Sequence, residues 1–157
     1  MNDPSPSLRS VRPSDAADLH RNCFPEQSLD AVQDYLHWCL SQMRKGRMVR
    51  LVAEVNGQVV ANGQLAIHRH DGEIGSLVVS PAYHRRGIGT ALVGALVAEA
   101  RNCRVRTLEI AAPSGQPWIQ AWYQRLGFAF HRERTYPGDE RVAILRVSLC
   151  PPSRPYT

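Results

Sequence analysis

The stretch that decides the fold is "SPAYHRRGIGTALVGALVAEARN", residues 80–102, in which a basic, glycine-punctuated turn precedes a helical run of small and apolar residues. The first N–H groups of a helix have no partner inside the helix, and the helix dipole adds positive potential there. Gly87 and Gly89 would let an anion approach those N–H groups, and Arg85 and Arg86 would add charge. The stretch alone therefore predicts either an anion site or a plain strand-to-helix turn.

Two familiar phosphate-binding loops do not fit this stretch. A dinucleotide fingerprint needs a third glycine where the chain has Leu92, and it follows its strand directly, whereas "SPAYHRR" intervenes here. A Walker A loop needs Gly-Lys-Ser/Thr, which the sequence lacks. The small side chains of Ala91, Ala95 and Ala98 are expected to let the helix pack closely on a sheet.

Length and hydropathy favour one ordinary globular domain. We expect the 157 residues to form a single domain, with an ordered core at about 7–149. The uncharged apolar runs are too short to span a bilayer. The N-terminus "MNDPSPSLRS" lacks the basic-then-apolar layout of a signal peptide, so we expect a cytoplasmic protein that does not bind membranes.

The charged residues and cysteines exclude few functions but disfavour several. The net charge is +5, with Lys45 the only lysine, which suits nucleic acid or a small polyanion. Aromatic residues are not interleaved with the arginines, which disfavours nucleic acid. The four cysteines are scattered without a C-x-x-C pair, and His68 and His70 lack a third ligand, so we expect neither a metal site nor a disulfide framework.

Hydrophobic periodicity predicts a β-α-α-β-β-β-α-β-α-β-β order. The clearest signal is "RMVRLVAEVNGQVVANGQLAIHRH", two β-rich runs joined by Asn56-Gly57, the preferred two-residue hairpin turn. A second turn is expected at Asp71-Gly72, and Ser28 is expected to cap the second helix. The order predicts an α/β fold with a mixed, mostly antiparallel sheet of about seven strands flanked by about four helices.

Two motifs in the expected order resemble a known family. "LVVSPAYHRRGIGTALV", residues 77–93, resembles the acetyl-coenzyme A signature of the GNAT N-acetyltransferase superfamily. "AWYQRLGF", residues 121–128, is similar to its second landmark, an aromatic-Tyr pair before Leu-Gly-Phe. The element order also matches, so the resemblance covers roughly residues 7–149 and implies the GNAT fold.

The resemblance implies acetyl-CoA as cosubstrate and assigns its binding residues. The backbone of Leu77, Val78 and Val79 should pair with the pantetheine arm like another strand. Gln116 and Tyr123 complete the coenzyme-binding set. Six consecutive N–H groups should cradle the pyrophosphate, those of Arg85, Arg86, Gly87, Ile88, Gly89 and Thr90.

Two positions depart from the family pattern. His84 stands where the family usually has Gln or Arg, and Gln116 where it often has Asn. Backbone N–H groups do most of the work in holding a phosphate, so His84 need not weaken coenzyme binding. These departures change side-chain contacts only.

Acetyl transfer to an amine needs an oxyanion donor and an acid for the thiolate. The N–H of Val79, where the strand ends, is expected to be the oxyanion donor. Tyr123 is expected to be the acid, since a phenol with a pKa of about 10 keeps its proton at neutral pH. The alternative is that Tyr123 is only a buried aromatic beside Trp118 and Trp122.

The general base is expected to be a carboxylate. Glu73 matches the place of the catalytic glutamate in the histone-acetylating branch of the family, and strand alternation puts it on one face with Gly75, Leu77 and Val79. The alternative is a solvated charge at a strand end. Two glutamates on neighbouring strands, Glu54 and Glu109, are further candidates.

The resemblance predicts the reaction but leaves the acceptor open. We expect direct attack of a primary amine on acetyl-CoA in a ternary complex; the rivals are a sensor that binds acyl-CoA without turnover and a nucleic-acid-binding protein. Protein N-termini, polyamines, amino sugars and amino acids all remain as acceptors, and a homodimer is common in the family. Five acidic residues could attract a cationic amine or be ordinary surface charges, namely Glu26, Asp30, Asp34, Asp139 and Glu140.

Overall fold

The computed structural model describes residues 5–149, so Cys150 and both chain ends lie outside it. Strands and helices follow in the predicted order, and two 3₁₀ turns, Pro13–Asp15 and Pro81–Tyr83, join them. The bounds are β1 Ser7–Ser10, α1 Ala16–Asn22, α2 Leu29–Arg44, β2 Met48–Val55, β3 Gln58–His68, β4 Asp71–Val79, α3 Ile88–Asn102, β5 Thr107–Pro113, α4 Pro117–Arg125, β6 Ala129–Tyr136 and β7 Glu140–Ser148.

The seven strands of residues 5–149 form one sheet in the order β1-β2-β3-β4-β5-β7-β6. Only β4 and β5 are parallel neighbours, and the other five pairs are antiparallel. The predicted fold class is therefore confirmed. No helix in the described part of the chain is long and apolar enough to cross a membrane.

Turn chemistry is as predicted in one hairpin and different in the next. Asn56 and Gly57 both have positive φ, 52° and 79°, as a type I′ turn requires. The turn predicted at Asp71-Gly72 is wrong, because Asp71 already pairs with His68 in the sheet. Gly72 lies inside the strand, where a Cβ would come within 3.0 Å of the Leu65 side chain.

The sheet separates two apolar cores. One lies under α3 and α4 and includes Leu92 and Leu96, both fully buried. The other lies under α1 and α2 and includes Leu19 and Leu36. Adjacent residues of β2 alternate between the two, and we call the two sides the α3–α4 face and the α1–α2 face.

Helix α3 packs on the sheet through larger side chains than predicted. Leu92, Leu96 and Ala100 are fully buried, whereas Ala98 is exposed. The expectation that Ala98 allows close packing is therefore wrong. The close approach is instead on the sheet side, where Gly63 leaves room for Leu96.

Strand β4 carries the irregularity that positions the site. Its pairing with β3 shifts register between Asn62 and Gln64, and Ser76 takes a positive φ of 51°. Pairing of β4 with β5 ends at Ile74 and Ile110, although both strands continue. The strands therefore separate beyond Ile74, and this opening, the β4–β5 gap, leaves backbone groups of β4 available to a ligand.

Candidate active site

A cleft of about 770 Å³ lies between the end of β4, the start of α3 and helix α4. Its volume is within the range of small-molecule sites in proteins. Its lining includes eight of the residues that the sequence assigns to the coenzyme, Leu77, Val79, Arg85, Gly87, Ile88, Gly89, Thr90 and Tyr123.

Three assigned residues do not line this cleft. Val78 packs against the core on the α1–α2 face. Arg86 lies over the ring of Tyr83, 5.0 Å from its centroid. Gln116 is exposed at the start of α4, where its backbone carbonyl accepts from the Ile119 N–H at 3.0 Å. Any contact that these side chains make with the coenzyme is outside the cleft.

The loop before α3 and the first turn of that helix form an open cradle, in which Gly87 presents bare backbone. Gly87 has a φ of 77°, a left-handed conformation that favours glycine, and the space around its missing Cβ is open. Helix α3 is long enough, at 15 residues, to carry a substantial dipole. The residues present therefore fit an anionic group such as a pyrophosphate at this helix start.

Trp122 closes one side of the cradle, a role that the sequence analysis missed. A Cβ at Gly89 would lie 3.1 Å from the Trp122 ring. The indole Nε1–H donates to the Thr90 hydroxyl at 3.0 Å, which fixes the ring over the first turn of α3. The signal was present in the sequence, because Trp122 is the aromatic residue before Tyr123 in the second motif.

The end of β4 presents backbone groups to the β4–β5 gap. The Ser80 N–H donates to the Val60 carbonyl on β3 at 2.8 Å, so strand alternation directs the Val79 N–H to the opposite edge, toward the gap. The His84 Nε2 lies 2.8 Å from the Val79 carbonyl oxygen. The side chain that departs from the family pattern therefore contacts this strand end directly.

Tyr123 is the buried titratable group of the cleft. It is 6% exposed, and burial raises its pKa to about 12. Its ring packs against Trp122 and Phe128, with centroids 5.0 and 6.4 Å away. Every buried side-chain oxygen in residues 5–149 has a hydrogen-bond partner. The Tyr123 hydroxyl is bonded by no protein group in those residues, so it is not buried, and it opens to the cleft that Tyr123 lines.

Glu73 lies on the opposite face from the one predicted. Its neighbours in β4, Gly72 and Ile74, face the α3–α4 core, so Glu73 faces the α1–α2 side. Leu77 and Val79 pack against the α3–α4 core. The alternation rule fails here because the bulge at Ser76 adds one residue to the strand and reverses the faces beyond it.

The three candidate base carboxylates have different partners. Glu109 accepts from Arg146 at 2.8 Å and from Arg132 at 3.3 Å. Glu54 accepts from Arg9 at 3.0 Å. Glu73 is exposed in a cleft of about 480 Å³ and has no ion-pair partner in the described part of the chain. Of the three, only Glu73 has a carboxylate not held by an arginine.

The remaining candidate residues lie on the surface. The five acidic residues considered for acceptor binding are exposed, and they fall in two places, around the start of α2 and in the β6–β7 turn. His68 and His70 are also exposed. Between residues 5 and 149 there is no group of three His, Cys, Asp or Glu side chains that could hold a metal ion.

Solved structures with similar folds include several acetyltransferases. A ribosomal-protein-alanine N-acetyltransferase from Brucella melitensis superposes with a TM-score of 0.78 at 21% identity, covering 91% of this chain and 99% of that one. The Salmonella typhimurium protein yncA, solved with its cofactor acetyl-CoA, gives 0.75 at 19% identity, covering 98% and 99%. A chimera of spermidine N-acetyltransferase SpeG from Vibrio cholerae and hSSAT gives 0.76 at 13% identity, covering 92% and 96%.

These similarities establish the fold, and a family model establishes membership. The model described as the acetyltransferase (GNAT) family matches residues 14–128, which span both sequence motifs and every residue that lines the 770 Å³ cleft. The chain belongs to the acetyltransferase (GNAT) family.

Proposed function

We propose that this GNAT enzyme transfers acetyl from acetyl-CoA to a primary amine by direct attack in a ternary complex. The observation that carries the proposal is that the Tyr123 hydroxyl and the glycine cradle line one cleft, beside the β4–β5 gap. In the reaction a C–S bond breaks and an N–C bond forms, while the amine loses a proton and the thiolate gains one.

The cleft offers the coenzyme two kinds of backbone contact. The N–H groups from Arg85 to Thr90 would hold its pyrophosphate at the start of α3. The edge of β4 from Leu77 to Val79, which β5 does not pair and where His84 contacts the Val79 carbonyl, would pair with its pantetheine arm, as an added strand does. The thioester would then lie in the gap, between the two faces of the sheet.

Tyr123 would protonate the leaving thiolate, and the Val79 N–H would stabilise the negative charge that develops on the carbonyl oxygen. Because burial raises the Tyr123 pKa to about 12, the phenol keeps its proton throughout the neutral range and can donate it to a departing thiolate. The Val79 N–H, held rigid by the sheet, would donate to the carbonyl oxygen as negative charge develops there.

Glu73 is the proposed base, and it would act through water, because it lies about five strand residues, roughly 16 Å, from Val79 along β4 once the bulge is allowed for. It lies on the α1–α2 face, so we propose that the amine approaches from that face while the coenzyme enters from the other. Its carboxylate has no arginine partner in residues 5–149, unlike Glu54 and Glu109. Both observations support Glu73 over the two alternatives.

Initial rates of thiol release, with acetyl-CoA and an amine varied together, test the proposal. Intersecting double-reciprocal lines are expected for direct attack in a ternary complex, and parallel lines would contradict it. Glu73→Gln is expected to lower kcat by about 100-fold or more, with Glu133→Gln on exposed β6 as the matched control.

The alternative functions give different results in the same experiment. Coenzyme binding without turnover of any amine would favour the sensor. Absence of coenzyme binding, with a steep salt dependence of DNA or RNA affinity, would favour a nucleic-acid-binding protein. The cytoplasmic location, the single domain and the homodimer stay predictions.

A further inference from the structure

A second cavity, of about 310 Å³, lies on the α1–α2 face and shares no lining residue with the coenzyme cleft. Its volume is at the small end of ligand sites. Most of its wall is apolar or aromatic, from Leu19, Phe24, Val32, Tyr35 and Leu36, and its polar lining is Gln27, Arg50 and Ser76. We call it the α1–α2 pocket.

A buried arginine forms the inner wall of this pocket. Arg50 is 2% exposed. Its Nε donates to the Asn62 side-chain oxygen at 2.8 Å, and its Nη1 donates to that of Gln64 at 2.6 Å. The rings of Tyr35 and Phe24 flank the guanidinium, with centroids 5.1 and 6.0 Å from Cζ. These contacts fix the orientation of the guanidinium.

The charge of Arg50 has no carboxylate partner in the described residues, since no acidic oxygen lies within 4.0 Å of it. Burying an arginine among neutral groups is costly unless something offsets its charge. Every buried side-chain nitrogen in residues 5–149 has a hydrogen-bond partner. The Arg50 Nη2 is bonded by no protein group in those residues, so it is not buried, and it reaches the pocket that Arg50 lines. The site presents a fixed cation to whatever enters.

The pocket adjoins the β4–β5 gap through the bulge. Ser76 lines the pocket, and its carbonyl accepts from the Asn62 side-chain amide at 2.8 Å. The same amide group binds Arg50, so one buried side chain ties the guanidinium to the bulge. Glu73 lies on this face of β4, two residues from where the strands separate.

The distance from the Arg50 guanidinium to the β4–β5 gap suits a short amino acid. The guanidinium lies over β3, so the gap is about one and a half strand spacings away, roughly 7 Å. A charge-assisted hydrogen bond spans about 2.8 Å, and the carboxylate and amine of an α-amino acid are separated by about 3 Å more. A carboxylate on Arg50 would thus place an α-amino group near the gap.

We propose that the acceptor is a small amino acid with an apolar side chain, whose carboxylate pairs with Arg50 and whose side chain occupies the aromatic wall of the α1–α2 pocket. This inference rests on the proposed acetyl transfer. Its amine would then point to Glu73 and the gap. Polyamines and amino sugars lack a carboxylate, so the Arg50 charge disfavours them.

Matched acceptors test the proposal on the unmodified protein. Thiol release from acetyl-CoA is measured with L-leucine, L-methionine and L-phenylalanine, each beside its carboxamide and its decarboxylated amine, and with spermidine. We expect kcat/KM for the best free acid to exceed that of its amide by roughly 10- to 100-fold, the discrimination of a charge-assisted hydrogen bond.

Variants of Arg50 test whether this residue causes the preference for the free acid over its amide. Arg50→Gln is expected to reduce the acid-to-amide ratio to about one, and Arg50→Lys to retain part of it, since lysine keeps the charge without the fork. Arg47→Gln, the same charge change at an exposed position three residues away, should keep the full ratio. If the Arg50 variants do not fold, the acceptor panel on the unmodified protein still decides.

The outcomes separate this inference from the proposed function. Turnover of amides, amines or spermidine as fast as the acids overturns the carboxylate site but leaves the acetyltransferase. If no amine is acetylated, the proposed function fails, and calorimetric titration of the coenzyme-bound protein decides the site. Binding of an acid but not its amide would support the Arg50 site, and binding of neither would overturn it.

Discussion

Replacing Gly89 by alanine tests whether the cradle at the start of α3 is limited by Trp122. The new methyl group would lie 3.1 Å from Cη2 and 3.3 Å from Cζ2 of the Trp122 ring, closer than ordinary packing allows. Relief of the contact needs the ring to move by a few tenths of an ångström, and its 3.0 Å hydrogen bond to Thr90 resists that movement. Overpacking of this kind costs about 1–3 kcal/mol.

Gly94→Ala is the matched control in the same helix. Gly94 is exposed, and no atom lies within 4 Å of its missing Cβ. This variant should gain up to about 1 kcal/mol from helix propensity. Gly89→Ala gains no more than that and carries the overpacking cost, so it should be about 1–3 kcal/mol less stable than Gly94→Ala.

Urea unfolding and calorimetric titration with coenzyme A check both parts of the prediction. We expect the Kd for coenzyme A to rise about tenfold or more in Gly89→Ala, because displacement of Trp122 and Thr90 disturbs the cradle. In Gly94→Ala it should stay within about twofold. If the two variants are equally stable and bind the coenzyme equally well, the account of the cradle is wrong.

Two further predictions concern side-chain hydrogen bonds that stabilise the fold. Asp15 accepts from Arg9 and from the Arg12 N–H; burial alone would raise its pKa, but these bonds outweigh it and hold the pKa below its usual range. Its contribution to stability is therefore full above about pH 4 and is lost as pH falls through the lowered pKa, so the urea midpoints of wild type and Asp15→Asn should differ at pH 7 and converge as pH falls below that pKa. The Ser28 hydroxyl caps α2 by accepting from the Ala31 N–H at 3.1 Å, so Ser28→Ala should lower the free energy of unfolding by about 1 kcal/mol and Ser28→Asp by much less, measured in the same way.

The fold was predictable because its signals are local. Asn56-Gly57 determines a hairpin through two positive φ values, and Gly87, with its positive φ, determines where α3 begins. Such signals depend on neighbouring residues only. The turn at Asp71-Gly72 was predicted wrongly because the same dipeptide can start a strand when packing requires a missing Cβ, as it does at Gly72.

The features that sequence reasoning misplaced or missed depend on distant residues. The face of Glu73 relative to Val79 is set by the bulge at Ser76, which comes from pairing with β3 and has no periodic signature. Arg50 is one arginine in an apolar strand, and its partners Asn62 and Gln64 belong to the next strand. Its inward position in "MVRLVAEV" was visible, but the pocket that it faces was not.

The most direct test of the central claim is the comparison of Tyr123→Phe with wild type in thiol release and in coenzyme binding. The substitution removes one oxygen that opens to the cleft and leaves the ring packing intact. The account predicts that kcat falls by about 100-fold or more while the Kd for acetyl-CoA stays within about threefold. A kcat within about threefold of wild type, with an acceptor that wild type acetylates, would contradict the role of Tyr123 as the acid.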